Sequence, residues 1–285
     1  MSVQKSLDMI IETVRRFRLD GIWLRDDEFY IDRRRATAIL EGIIQANLNI
    51  KFYTSGTRID IFLKASDAET KILKRAGAHT LKFGAESSSQ RILDLMKKGI
   101  RAEQTLEVNQ KCKKYGIIPA FGFLIGYPTE TFEEINQTID LGIRLKQENP
   151  QAQLESMAGF TPLPGTPDFD LSVKYGLKPP QTLEGWAEWH FDDDPLGRRN
   201  PWLSAKERQY LRNIGYMSIL AYALDNAVGS LRRKSWRYWG HKTAKAISYY
   251  YRFRLKHKMY KFAPDIELVA YLRKQIFYNN IFTFT

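Results

Sequence analysis

Apolar positions recur at helical spacing from the start of the chain. Val3, Leu7, Ile10, Ile11, Val14 and Phe17 share one face of a helix expected over Ser2–Leu19 and closed by Gly21. Ile22-Trp23-Leu24 then reads as a short strand, and Asp32–Ala46 as a second helix. Ile50–Ser55 is a strand, followed by a helix over Ser66–Ala76 with Ser66 as cap and Gly77 as stop. His79–Ala85 alternates as a strand and runs through Ala85-Glu86 into three serines. There a helix opens with Ile92, Leu93, Leu95 and Met96 and stops at Gly99. Ala102–Tyr115 (helix), Ile117–Ile125 (strand), Thr131–Gln147 (helix) and Gln153–Phe160 (strand) complete the series. Glu133 and Glu134 sit in the first turn of their helix, where its dipole favours them. Strands alternating with helices mean βαβ units and a parallel α/β sheet. The series opens on a helix, so it reads as a (β/α) run whose front strand is missing.

Past Pro167 the pattern changes. Residues 168–203 read as an irregular connection, with Pro179, Pro180, Pro195 and Pro201, and Asp192-Asp193-Asp194 beside Arg198-Arg199. Ser204–Ala227 reads as a helix with a Ser204/Glu207 capping box. Leu231–Lys261 reads as a helix or helix pair broken near Gly240, and Pro264 opens a last helix to about Phe277. The expected division is 1–167, an α/β part, then 168–203, a connection, then 204–285, a helical region.

Composition narrows the class. The chain has 285 residues, 44% of them hydrophobic, enough for a sizeable core. No run approaches the ~18 apolar residues of a membrane span. Asp8, Glu12, Arg15 and Arg16 in the first helix exclude a signal peptide. Cys112 is the sole cysteine, so internal disulfides are excluded, and a reducing, cytoplasmic setting is expected. The net charge of +12 is uneven: residues 1–165 carry 24 Lys/Arg against 21 Asp/Glu, and residues 166–285 carry 20 against 11.

The candidate chemistry lies where each strand ends. Asp26, Asp27 and Glu28 follow the first strand, Arg58 and Asp60 the second, Glu86 and the serines the third. Gly126, Thr129 and Glu130 follow the fourth, and Thr161–Thr166 the fifth. Polar turns are common, but in a parallel barrel such turns share one rim. Five in order favour one small-molecule site over five solvated turns.

Four segments in order resemble the strand motifs of radical S-adenosylmethionine (radical SAM) enzymes. They are Trp23-Leu24-Arg25-Asp26-Asp27-Glu28-Phe29, Gly84-Ala85-Glu86-Ser87-Ser88-Ser89, Leu93-Asp94-Leu95-Met96-Lys97-Lys98-Gly99 and Gly122-Phe123-Leu124-Ile125-Gly126-Tyr127-Pro128-Thr129-Glu130-Thr131. The resemblance covers residues 1 to about 170 and is nearest the branch that often carries an N-terminal cobalamin-binding domain. It implies a partial parallel (β/α) barrel of five strands without its first strand. It implies SAM as ligand: Asp26, Asp27 and Glu28 toward the methionine amino group, Glu86 and Ser88 toward the ribose and amino acid part, Lys98 toward the carboxylate, and Leu124 to Gly126 along the adenine. Arg58 and, less clearly, Thr161 join this cofactor-binding set.

The family holds a [4Fe–4S] cluster with three cysteines of a CxxxCxxC loop after the first strand. Such a cluster needs thiolates, and this sequence has no such loop. His79, His190, His241 and His257 are scattered and offer no substitute. The expectation is a SAM-binding portion unable to cleave SAM alone, with the N-terminal cluster module, and any cobalamin module, outside these residues. The alternatives are a degenerate barrel that binds a ligand without chemistry, and a basic interaction protein. Leu231–Lys261 holds eleven basic residues and no acidic one, interleaved with aromatics. That mixture suits first a basic helix packing its rings on the fold, then a peripheral membrane surface or a lipid-like substrate, and less well nucleic acid.

Overall fold

The computed structural model describes residues 1–187, 200–223 and 235–271, with 223 and 235–241 as backbone alone. The segment with Asp192–Asp194, Pro195 and Arg198-Arg199, the start of the basic stretch, the side chains of Trp236 and Trp239, His190, His241 and the chain beyond Tyr271 lie outside the described residues.

The elements run α1 (Val3–Phe17), β1 (Gly21–Leu24), α2 (Arg33–Gln45), β2 (Lys51–Thr57), α3 (Ile59–Leu63), α4 (Asp67–Arg75), β3 (Ala78–Glu86), α5 (Gln90–Leu95), α6 (Gln104–Tyr115), β4 (Ile118–Ile125), α7 (Phe132–Glu148) and β5 (Gln153–Gly159). Then follow α8 (Pro167–Lys174), α9 (Leu183–Ala187), α10 (Ala205–Ser218), a π-helical turn over Ile219–Ala223, and α11 (Ser235–Lys256). The strands form one parallel sheet in the order β1-β2-β3-β4-β5, as the alternation of strand and helix predicts. β1 pairs in register with β2, Ile22 opposite Phe52 and Trp23 opposite Tyr53, and stands at one end of the strand order.

The chain groups into two compact units, Met1–Gly122 with Arg144–Leu154, and Phe123–Ile143 with Glu155–Thr285. In the first, Phe52, Phe62, Leu81, Phe83 and Phe121 form the interior, with Phe83 touching both Phe62 and Phe121. Several helix ends are satisfied by side chains. Ser66 and Glu69 close a capping box on α4. Lys111 donates to the carbonyls of Phe62 (3.0 Å) and Ala65 (2.5 Å) at the end of α3, and burial lowers its pKa.

In the second unit the Ser204/Glu207 capping box forms as expected. Arg254 is buried and donates to both oxygens of Asp265 (2.7 and 2.6 Å) and to the carbonyls of Met259 (2.8 Å) and Phe262 (2.7 Å). Tyr251 adds a hydroxyl bond to Asp265 (2.9 Å). The end of α11 is thereby fixed to the helical run 264–271.

Three expectations are corrected. The connection is not irregular throughout: Thr166 caps α8, with Pro167 in its first turn, and α9 follows. The helix from the serines stops at Leu95 rather than Gly99, because Lys97 turns to a positive φ of 51°. Gly240 does not break α11, whose hydrogen-bonded backbone runs through it.

Candidate functional site

In the first unit the carboxyl ends of β1, β2 and β3 are tied by charge. Glu28, after β1, accepts the Arg58 amide at 2.5 Å and the Tyr30 amide at 3.2 Å. Arg58, after β2, donates from Nε to Asp60 (3.0 Å) and from Nη2 to the Lys98 carbonyl (3.2 Å). Lys98 donates from Nζ to Glu86 Oε1 at 2.6 Å. So Glu28, Arg58, Glu86 and Lys98, distant in sequence, form one connected set.

Two glycines make room for it. A Cβ at Gly84 would collide with the Glu86 carboxylate and stand 2.9 Å from Lys98 Nζ. A Cβ at Gly56 would overlap the Asp27 carbonyl, so β2 and the turn after β1 meet there backbone to backbone. Glu86 itself holds a left-handed φ of 59°. That conformation costs a non-glycine residue about 1 kcal/mol or more and gathers at functional sites. The Glu86–Lys98 pair is only partly shielded, with side chains 18% and 26% exposed. Burial raises the Glu28 pKa, against the lowering effect of its two amide donors and of Arg58.

Asp26 lines a cavity of about 460 Å³ along β1, with Met9, Ile10, Trp23 and Phe29 among its walls. Ser88 is half-buried on the turn into α5. Its neighbours are used locally: Ser89 N–H donates to Ser87 Oγ (3.1 Å), and Ser89 Oγ caps Ile92.

In the second unit Leu124 is half-buried on β4, and Gly126 has both backbone groups occupied. Its N–H donates to Glu130 Oε2 (2.6 Å), and its carbonyl accepts Trp202 Nε1 (3.0 Å) and Asn200 Nδ2 (3.4 Å). Tyr127 donates its hydroxyl to Asp168 (2.6 Å), which with burial pushes its pKa up. Thr161 Oγ1 reaches the Gly159 carbonyl at 3.5 Å. Sequence reasoning did not single out Tyr127, Asp168, Asn200 or Trp202, because Asp168, Asn200 and Trp202 lie some 40 to 76 positions from their partners. Glu130, one of the polar residues expected after the fourth strand, lies four residues past Gly126 in a proline turn, and its carboxylate folds back onto the Gly126 amide.

The residues do not fit a metal cluster. Cys112 is fully buried in α6, and its burial raises the thiol pKa far above that of a thiolate ligand. Among the described residues no three His, Cys, Asp or Glu side chains group as metal ligands.

A parallel α/β sheet thus carries a charged set at the ends of three consecutive strands. Residues 2–142 match the model of the Radical SAM superfamily, and the chain carries a radical SAM domain. It is 31% identical over 176 residues to an uncharacterized methyltransferase of Pyrococcus horikoshii, covering 62% of this chain and 36% of the relative. It is 26% identical over 161 residues to an anaerobic magnesium-protoporphyrin IX monomethyl ester cyclase of Rubrivivax gelatinosus, covering 56% and 30%. The chain thus spans about a third of the length of these relatives. Its fold is similar to that of the cobalamin-dependent S-adenosylmethionine radical enzyme OxsB with aqua-cobalamin and S-adenosylmethionine bound, with a TM-score of 0.62 and 17% identity over 96% of this chain and 46% of that one.

Proposed function

We propose that this chain is the SAM-binding portion of a radical SAM enzyme, and that the thiolates holding the cluster come from outside residues 1–285. The observation that carries the first half is the Glu86–Lys98 pair beside Arg58 and Glu28. The amino acid end of SAM is a zwitterion. Its ammonium suits Glu86, to which Glu28 is linked through Arg58 and Lys98, and its carboxylate suits Lys98. An ion pair that is already partly exposed exchanges partners with a zwitterion at a reduced desolvation cost, because each charge gains an opposite one. The strained backbone of Glu86 holds the carboxylate ready rather than leaving it to be ordered on binding. The observation that carries the second half is the lone, buried Cys112. The family's [4Fe–4S] cluster, when bound, supplies the electron for SAM cleavage; this chain's residues bind and orient SAM.

Calorimetric titration tests the binding. SAM is expected to bind, 5′-methylthioadenosine, which lacks the amino acid end, to bind far more weakly, and Lys98→Met to weaken SAM about tenfold, or roughly 1.4 kcal/mol. Equal affinity for SAM and 5′-methylthioadenosine would overturn the assignment to Glu86 and Lys98. The lone cysteine also favours a second reading, a barrel that binds its ligand without turnover. Formation of 5′-deoxyadenosine on supplying a cluster-bearing segment separates the two.

A further inference from the structure

We propose that the outer face of α11 docks on a bilayer containing anionic lipid, as a peripheral contact independent of the SAM site. The helix is amphipathic in an unusual sense. Tyr251, Arg254 and Leu255 are buried, and Ser248 donates to the Ala221 carbonyl at 2.6 Å, so these residues mark the inner face. Lys242, Lys245, Tyr249, Phe253 and Lys256 recur at spacings of three or four and share the opposite face, with Tyr250 at its border. On that face Tyr249, Tyr250 and Phe253 are 57%, 52% and 54% exposed. Phe262, just past the helix, is 81% exposed beside the exposed Lys261. A solvent face normally carries polar residues, so contiguous exposed rings mark a contact surface.

Charge says what the contact is. From Lys242 to Pro264 there are seven Lys or Arg and no acidic residue. Arg254 is neutralised by Asp265, and Lys258 by Asp140 at 2.6 Å. Those facing out with the rings are lysines, whose long stems let the ammonium reach headgroups while the rings sit at the acyl boundary. Each lysine near an anionic surface contributes about 1 kcal/mol. Exposed phenylalanines favour hydrocarbon over a phosphate backbone, and a single convex helix face has no groove to follow a nucleic acid strand. No helix among the described residues is long and apolar enough to cross a membrane, so the contact lies on the surface.

Sedimentation of the full chain with vesicles of phosphatidylcholine alone, or mixed with phosphatidylglycerol, tests this. Binding to the mixed vesicles is expected to be at least about tenfold tighter than to phosphatidylcholine, and to weaken with salt. The triple variant Tyr249→Ser, Tyr250→Ser, Phe253→Ser is expected to lose most binding with an unchanged melting curve. Lys245→Glu with Lys256→Glu, at exposed positions, is expected to abolish the preference for phosphatidylglycerol while SAM binding is retained. Equal binding to both vesicles, binding unchanged in either variant, or displacement from the vesicles by a single-stranded RNA oligonucleotide would overturn the proposal.

Discussion

Arg254 of the second unit and the Glu86–Lys98 pair of the first are held in opposite ways. In the second unit Arg254 is buried, with a side chain 5% exposed, and its donors are spent on one carboxylate and two carbonyls. Gly126, Glu130, Asn200 and Trp202 close a similar buried knot. In the first unit Glu86 and Lys98 meet each other part-exposed, and Glu86 does so from a strained backbone. A saturated buried charge holds architecture, since any newcomer must displace bonds that nothing replaces. A half-open pair on strained backbone holds a place for a ligand. The contrast predicts that substitutions separate into those that change stability and those that change affinity.

The largest effect should come from Arg254→Ala. It leaves Asp265 without its cation and two carbonyls without donors, at a cost of about 3 kcal/mol in unfolding free energy. Urea unfolding measures it, and SAM affinity of the folded variant should not move. A loss below about 1 kcal/mol would show that the buried knot is not what secures α11.

Gly84→Ala comes next. The added methyl collides with the Glu86 carboxylate and crowds Lys98. Relief by moving the pair costs about 1–2 kcal/mol and should weaken SAM about tenfold. Lys98→Met reverses the balance seen at Arg254: affinity falls as proposed above, but stability changes by less than about 1 kcal/mol, because the pair is screened by water. If Lys98→Met unfolds the protein as readily as Arg254→Ala, Arg254 and the Glu86–Lys98 pair do not differ as described.

Periodicity alone was enough for the sheet. The helices on either side of β3 are capped, and the caps are local chemistry: Ser66 with Glu69, and Ser89 alone. The charged turns after β1, β2 and β3 were legible for the same reason. Their pairing was not. Nothing in the sequence says that Lys98 turns back to Glu86, because that depends on α5 ending a turn early at Lys97, whose positive φ no glycine announces. Nor does it say that Gly126 is occupied by Trp202, 76 residues on. The α8 helix was hidden by proline, which breaks a helix interior but is welcome in its first turn.

Glu28 lies between the two behaviours and gives the smallest, most discriminating effect. Its carboxylate joins the first unit's charged set, yet burial is the main influence on it and raises its pKa above the ordinary 4.5. The folded chain therefore keeps this proton to higher pH than the unfolded chain. Between 4.5 and the raised value the folded state binds more protons, so stability contributed by this group falls as pH rises through that window. Glu28→Gln holds the position neutral and should flatten that part of the stability–pH curve. Its single carbonyl oxygen can still accept the Arg58 amide but leaves the Tyr30 amide facing an NH₂ group, so a small loss is expected at all pH values. Urea midpoints across the window read both effects. An unchanged slope would place Glu28 with Lys98, as a solvated partner of the ligand site; a flattened slope with intact SAM affinity would place it with Arg254, as a buried group that holds the turn after β1 against β2.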